Sequence, residues 1–278
     1  NPAWIPALVK AAHARGLKVA GHVPAFATAD QMIEAGFDEM THINQFMLQW
    51  VIKPEEDTRT LFRLTALKRL PALDLNSERV QHTMGLVTAR KLPIDVTLGI
   101  HENLLLNRDG QVAPGAVDYI DHLPVGAQRS LKQQWIDTSA PGDDAAYRGA
   151  YDKIVETIRM LNDRGAMIVP GTDTGGSFTF HRELELYQQV GMTPAQILTR
   201  ATWDMANYLG QGATLGSVEQ GKLADFFLVP GDPTKDLKAI KRIAMVVKDG
   251  AFYYPAEVYP EFGITPFAAA PKVSGAAK

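Results

Sequence analysis

The chain has 278 residues, 46% of them apolar and 21% charged, with a formal net charge of −3. That is ample material for a sizeable core in one or two domains. The balanced charge carries no basic stripe with interleaved aromatics, which argues against nucleic acid, and no run approaches the roughly 18 apolar residues of a membrane span. There is no cysteine, so disulfides, thiolate zinc sites and cysteine nucleophiles are excluded together.

In chain order, Asn1-Pro2 reads as an N-cap and helix-starting proline, and "WIPALVKAAHAR" continues the helix. The sequence opens like an interior position of a longer protein, so a missing leader says nothing. Localisation stays open, and export is compatible with it. "LKVAGHV" (17–23) is the first predicted strand. Thr28 with Gln31 forms a capping box, and Gly36 ends that helix. "FDEMTHI" (37–43) is the second strand.

Segments 45–76 and 101–144 lack sustained periodicity, and two strands, "IDVTLGI" (94–100) and "AMIVPGTD" (166–173), lie among them and beyond. A helix is expected around 145–164, with a stripe of Tyr147, Tyr151, Ile154, Val155, Ile158 and Leu161. Thr193, Pro194 and Gln196 open another helix, closed by Gly210. Helices alternating with short apolar strands predict an α/β protein with a parallel sheet, either doubly wound or part of a barrel.

The pattern changes after Gly212. Residues 213–258 read as a small β unit, with Asp249-Gly250 as a hairpin turn between "MVVK" and "AFYY". The aromatics at 252–254 are expected to pack within it. Residues 259–278 read as a low-complexity tail.

Two strands end on histidine with matched spacing: His22 follows Gly16 by six residues, and His42 follows Gly36 by six. In a parallel barrel the C-terminal strand ends converge on one face. His22, His42 and Asp173 of "GTDTGG" would meet there, two imidazoles and a carboxylate suited to a divalent metal. Read singly, each histidine is more often a satisfied core residue than a ligand. Thr172 and Thr174 flank Asp173 and are candidates to orient it. His101 and Glu102 are expected in a solvated loop. His82 is read as structural or exposed, His13 has no evident partner, and His122 falls in a loop. "GTDTGG" lacks the ending of a phosphate loop, and there is no Gly-x-Ser-x-Gly elbow.

"HRELELYQQVGMTPAQILTRATWDMANYLG", followed by "LGSVEQGKLADFFLVPGDP", resembles the C-terminal half of the metal-dependent amidohydrolase superfamily. The similarity is closest to the imidazolonepropionase-like amidohydrolases, which include metal-dependent dipeptidases. It runs from "AAHARGLKVAGHVP" to "VVKDGAFYYP". The resemblance implies the C-terminal part of a TIM (β/α)8 barrel, strands five to eight, over 1–212, and a β-sandwich segment over 213–258. It implies metal ligation by His22, His42 and Asp173, with Asp173 also handling protons for the attacking water. It places His181, which opens "HRELELY", near the mouth as a substrate contact. One or two divalent ions, zinc foremost, and a small-molecule or peptide-like substrate with a hydrolysable C–N bond follow from it.

The departure from the family is the absence of its His-x-His pair and of its strand-four lysine or glutamate. One alternative is therefore a non-catalytic fragment that needs an N-terminal complement. A half barrel's open edges also favour a homo-oligomer. A metal-free barrel lyase or isomerase using His and Asp is the other alternative.

Overall fold

A computed structural model describes residues 1–272. The chain divides into two compact units. The first comprises Asn1–Leu106, Gln134–Gly175 and Gln189–Gly191; the second comprises Asn107–Gln133, Gly176–Gln188 and the chain from Met192 onward.

The first unit holds a four-stranded parallel sheet: β1 (Ala20–Gly21), β2 (Glu39–Thr41), β3 (Ile94–Asp95) and β4 (Ile168–Val169), in that spatial order. Gly21 pairs with Met40, Met40 with Ile94, and Ile94 with Ile168. Met40, Ile94 and Ile168 are fully buried along this row. Every connection passes through helix, as parallel neighbours require. The helix Ala29–Ala35 has its Thr28–Gln31 capping box and a left-handed Gly36 at its end. The helix Asp143–Asp163 buries Tyr147, Tyr151, Ile154, Val155, Ile158 and Leu161. These recur every three or four residues, which puts them on one face.

The strands are much shorter than their apolar runs. The run 94–100 ends as strand at Asp95, and Leu98 already begins a helix that reaches Leu106. His101 and Glu102 lie buried on that helix, not in a solvated loop. His13, on the helix Ile5–His13, does have a partner: its Nε2 lies 2.9 Å from Asp38 Oδ2. That same carboxylate oxygen accepts the Val19 N–H at 2.6 Å, which ties the approaches to β1 and β2 together.

The second unit contains an antiparallel sheet of β5 (Phe226–Leu228), β6 (Met245–Lys248) and β7 (Ala251–Tyr253). Lys248 pairs with Ala251 across a two-residue loop. Asp249 and Gly250 both have positive φ (50° and 75°), the signature of the favoured hairpin turn. Phe252 and Tyr253 are exposed rather than packed, 56% and 50% accessible. His122 sits in a short 3-10 helix, where its ring stacks on Phe267 at 3.8 Å. The Thr265 N–H also donates to the His122 carbonyl. Residues up to 272 of the predicted tail are thus partly pinned, and 273–278 lie outside the described residues. No helix among the described residues is long and apolar enough to cross a membrane.

Candidate active site

The four strands of the first unit each deliver a group to one end of the parallel sheet. His22 follows β1 directly, His42 follows β2, and Thr97 lies two residues past β3. Asp173 lies four residues past β4. Each strand must turn sharply into the next segment, and the backbone records this. His42, Thr97 and Asp173 all have positive φ, at 67°, 45° and 53°. Non-glycine residues avoid this region, and such strain, about 1–3 kcal/mol each, concentrates at functional sites.

His42 is the hub. Its ring centroid lies 4.5 Å from that of His22, with the planes tilted by 59°. Its Nε2 is 3.7 Å from Asp173 Oδ2, too long for a hydrogen bond. On its other side Nδ1 lies 2.8 Å from the Thr97 hydroxyl. In the tautomer that donates Nδ1–H to that hydroxyl, Nε2 keeps its lone pair on the side of Asp173. His42 is buried, whereas the Asp173 side chain is half exposed. Burial holds the His42 pKa below its ordinary value; Asp173 opposes that effect, and His22 and Arg63 add to it.

Beneath these groups Thr97 makes a second bond. Its carbonyl accepts from His101 Nδ1 at 2.7 Å, which fixes His101 as the Nδ1–H tautomer when neutral. Burial pushes the His101 pKa down to about 4, with the Thr97 carbonyl opposing and His42 adding. Asp95, which ends β3, is the other perturbed group. Burial and the charge of Glu39 push its carboxyl up to about 7 against a hydrogen bond from the Thr97 backbone, and Asp173 adds a little. Its Oδ1 is buried without a hydrogen-bond partner.

Thr172 and Thr174 brace the turn around Asp173 by bonding each other. The Thr172 hydroxyl donates to the Thr174 carbonyl, and the Thr174 hydroxyl donates to the Thr172 carbonyl at 3.3 Å. They therefore hold the Asp173 backbone in its turn. His181 belongs to the second unit, buried on the helix Ser177–Leu186. Its Nδ1 is buried without a partner, and burial together with the nearby Lys241 lowers its pKa to about 4.

No group of three or more His, Asp or Glu among the described residues is arranged to hold a metal ion. The donor chemistry nonetheless fits one. His22 and His42 carry imidazole nitrogens and Asp173 carboxylate oxygens, donor types that zinc accepts, and the Thr97 hydroxyl lies against Nδ1 of His42, where it fixes the ring and leaves Nε2 available. Sequence reasoning missed Thr97, Asp95 and the burial of His101. The one available signal was their position, Asp95 and Thr97 as the polar residues within the apolar run 94–100 and His101 directly after it.

The class defined by this arrangement is an α/β protein that gathers His, His and Asp past the C-terminal ends of parallel strands. The model of the amidohydrolase family matches residues 1–252, and the chain belongs to that family. An imidazolonepropionase of Solibacter usitatus (strain Ellin6076) is 37% identical over 84 residues, covering 28% of this chain and 20% of that protein.

Among solved structures, a Xaa-Pro dipeptidase with bound methionine in its active site superposes with a TM-score of 0.57 at 22% identity, covering 91% of this chain and 49% of that one. A bottromycin amidohydrolase superposes with a TM-score of 0.61 at 19% identity, covering 95% and 57%. At these identities the likeness is one of fold. The chain spans about half the length of these solved relatives.

Proposed function

We propose that the protein hydrolyses amide or other C–N bonds of small-molecule or peptide-like substrates in a metal-dependent reaction. The observation that carries this is the convergence of His22, His42 and Asp173, with His42 in contact with both of the others. Imidazolonepropionase, Xaa-Pro dipeptidase and amidohydrolase relatives support the same chemistry. The four parallel strands are taken as strands five to eight of a (β/α)8 barrel, and the antiparallel unit as a β-sandwich segment.

His22, His42 and Asp173 would hold a divalent ion, zinc foremost, which when bound supplies Lewis acidity and an activated water. Asp173 is the group placed to move protons. Its half-exposed carboxylate takes the proton of the attacking water and passes it to the leaving nitrogen. Thr97 holds the His42 ring in orientation throughout. His181 is proposed as a substrate contact on the strength of the resemblance alone.

A panel of dipeptides and N-acyl amino acids tests the proposal, assayed with zinc, after chelation, and with His42→Ala. Turnover should vanish on chelation, return with metal, and be absent in the variant. Turnover that survives thorough chelation sinks the metal-dependent reading and favours a metal-free lyase or isomerase.

A further inference from the structure

A cavity of about 430 Å³ opens beside His22, within the first unit. Its volume lies in the range of small-ligand sites. Phe26, Leu48 and Ile52 give it apolar walls, while Lys53, Glu56, Arg59 and Arg63 give it charge. Phe26 is itself strained, with a φ of 65°.

These four charges are not equivalent. Glu56 is engaged by both terminal nitrogens of Arg69, at 2.7 and 2.8 Å, and by the Lys53 N–H at 2.8 Å. Arg59 is held by both oxygens of Asp57 and lies 5.2 Å from the Phe26 ring centroid. Lys53 is within electrostatic reach of Glu56. Arg63 lies on the short helix Phe62–Thr65; its backbone N–H donates to the Thr60 carbonyl at 3.2 Å, and among the described residues its guanidinium has no hydrogen bond or ion pair. Its side chain is exposed, and its field reaches His42.

We propose that this cavity binds the carboxylate-bearing part of an apolar amide substrate, with Arg63 as the residue that takes the carboxylate. A guanidinium fork matches a planar carboxylate bidentately. The neighbouring Glu56 carboxylate disfavours a more highly charged anion such as a phosphate monoester. The apolar walls of the same cavity then take a hydrocarbon side chain and leave the scissile bond toward His22, which also lines it. The substrate class is thus an N-acyl amino acid or dipeptide with an apolar side chain.

This inference rests on the hydrolase reading above, and binding measurements separate the two. N-acetyl-L-leucine and its neutral amide, N-acetyl-L-leucinamide, are titrated by calorimetry into the wild-type chain, Arg63→Met and Arg63→Lys. The acid should bind about tenfold tighter than the amide to wild type, the size expected of one charge-assisted bidentate contact. Arg63→Met should abolish the preference, and Arg63→Lys should keep part of it. Equal affinity for the two probes, no saturable binding of either, or a preference unchanged in Arg63→Met would overturn the inference. Failure of the hydrolase reading would instead show as absent turnover with the binding preference intact.

Discussion

His42 Nδ1 lies 2.8 Å from the Thr97 hydroxyl, a buried contact between residues that follow neighbouring strands. The Thr97 carbonyl is at the same time the acceptor for His101. One strained residue, with φ at 45°, thus holds two imidazoles in place.

Removing that hydroxyl should therefore act on the metal affinity of the site rather than on the fold. Thr97→Val keeps the shape and loses the oxygen. It should weaken zinc binding by about 10–100-fold, the range for partners of a ligating histidine. Thr97→Ser keeps the oxygen and should stay near wild type. Competition with a chromophoric chelator reads both, and thermal midpoints report any loss of folding. Equal zinc affinity in the two variants would remove Thr97 from the orienting role.

The buried histidine of the second unit makes stability depend on pH. His181 stays neutral in the folded chain down to about pH 4, whereas an unfolded histidine takes its proton near 6.5. Between those values the unfolded state holds more protons, so stability falls as pH falls and levels off below about 4. The loss amounts to at most about 3 kcal/mol. Asp95 acts in the opposite sense. Burial raises its folded pKa to about 7, well above the 3.8 of a free carboxyl, so its contribution declines as pH rises through that window. Comparing wild type with His181→Gln cancels the Asp95 effect. In urea unfolding, the advantage of wild type should shrink from neutral pH toward pH 4. A constant difference would show that the His181 titration is not coupled to folding.

Local chemistry made part of this molecule legible. The capping boxes at Thr28–Gln31 and Thr193–Gln196 and the Asp249-Gly250 turn form as read, because their bonds close within three or four residues. The strand-end position of His22 and His42 was legible for a related reason: a glycine-ended helix and a fixed number of extended residues set where the chain emerges. What was hidden depends on distant partners. Nothing near Thr97 announces a left-handed residue, since threonine prefers extended backbone. The turn there lets Leu98 start a helix that buries His101 and Glu102. The partner of His13 lies 25 residues away, beyond any local pattern. By sequence, Arg59 and Arg63 of "RTLFR" are equal candidates to meet a carboxylate and both are more commonly surface residues; the pairing of Arg59 with Asp57 is what separates them.

Two glycines of the first unit should respond in opposite ways to the same substitution. Gly171 follows β4, and a methyl group placed on it would overlap the Asp95 carboxylate. That carboxylate is largely buried and has an unpartnered oxygen, so it has little room to withdraw. Gly171→Ala should destabilise the chain by about 1–3 kcal/mol, the usual cost of overpacking. Gly85 sits inside the helix Glu78–Arg90, and a methyl there meets nothing within 4 Å. Gly85→Ala should stabilise by about 0.5–1 kcal/mol, through helix propensity and a less disordered unfolded chain. Urea unfolding of both variants checks the pair. If Gly171→Ala were neutral, the Asp95 side chain would have to be free to move, and the close approach between β3 and the segment after β4 would not constrain the site.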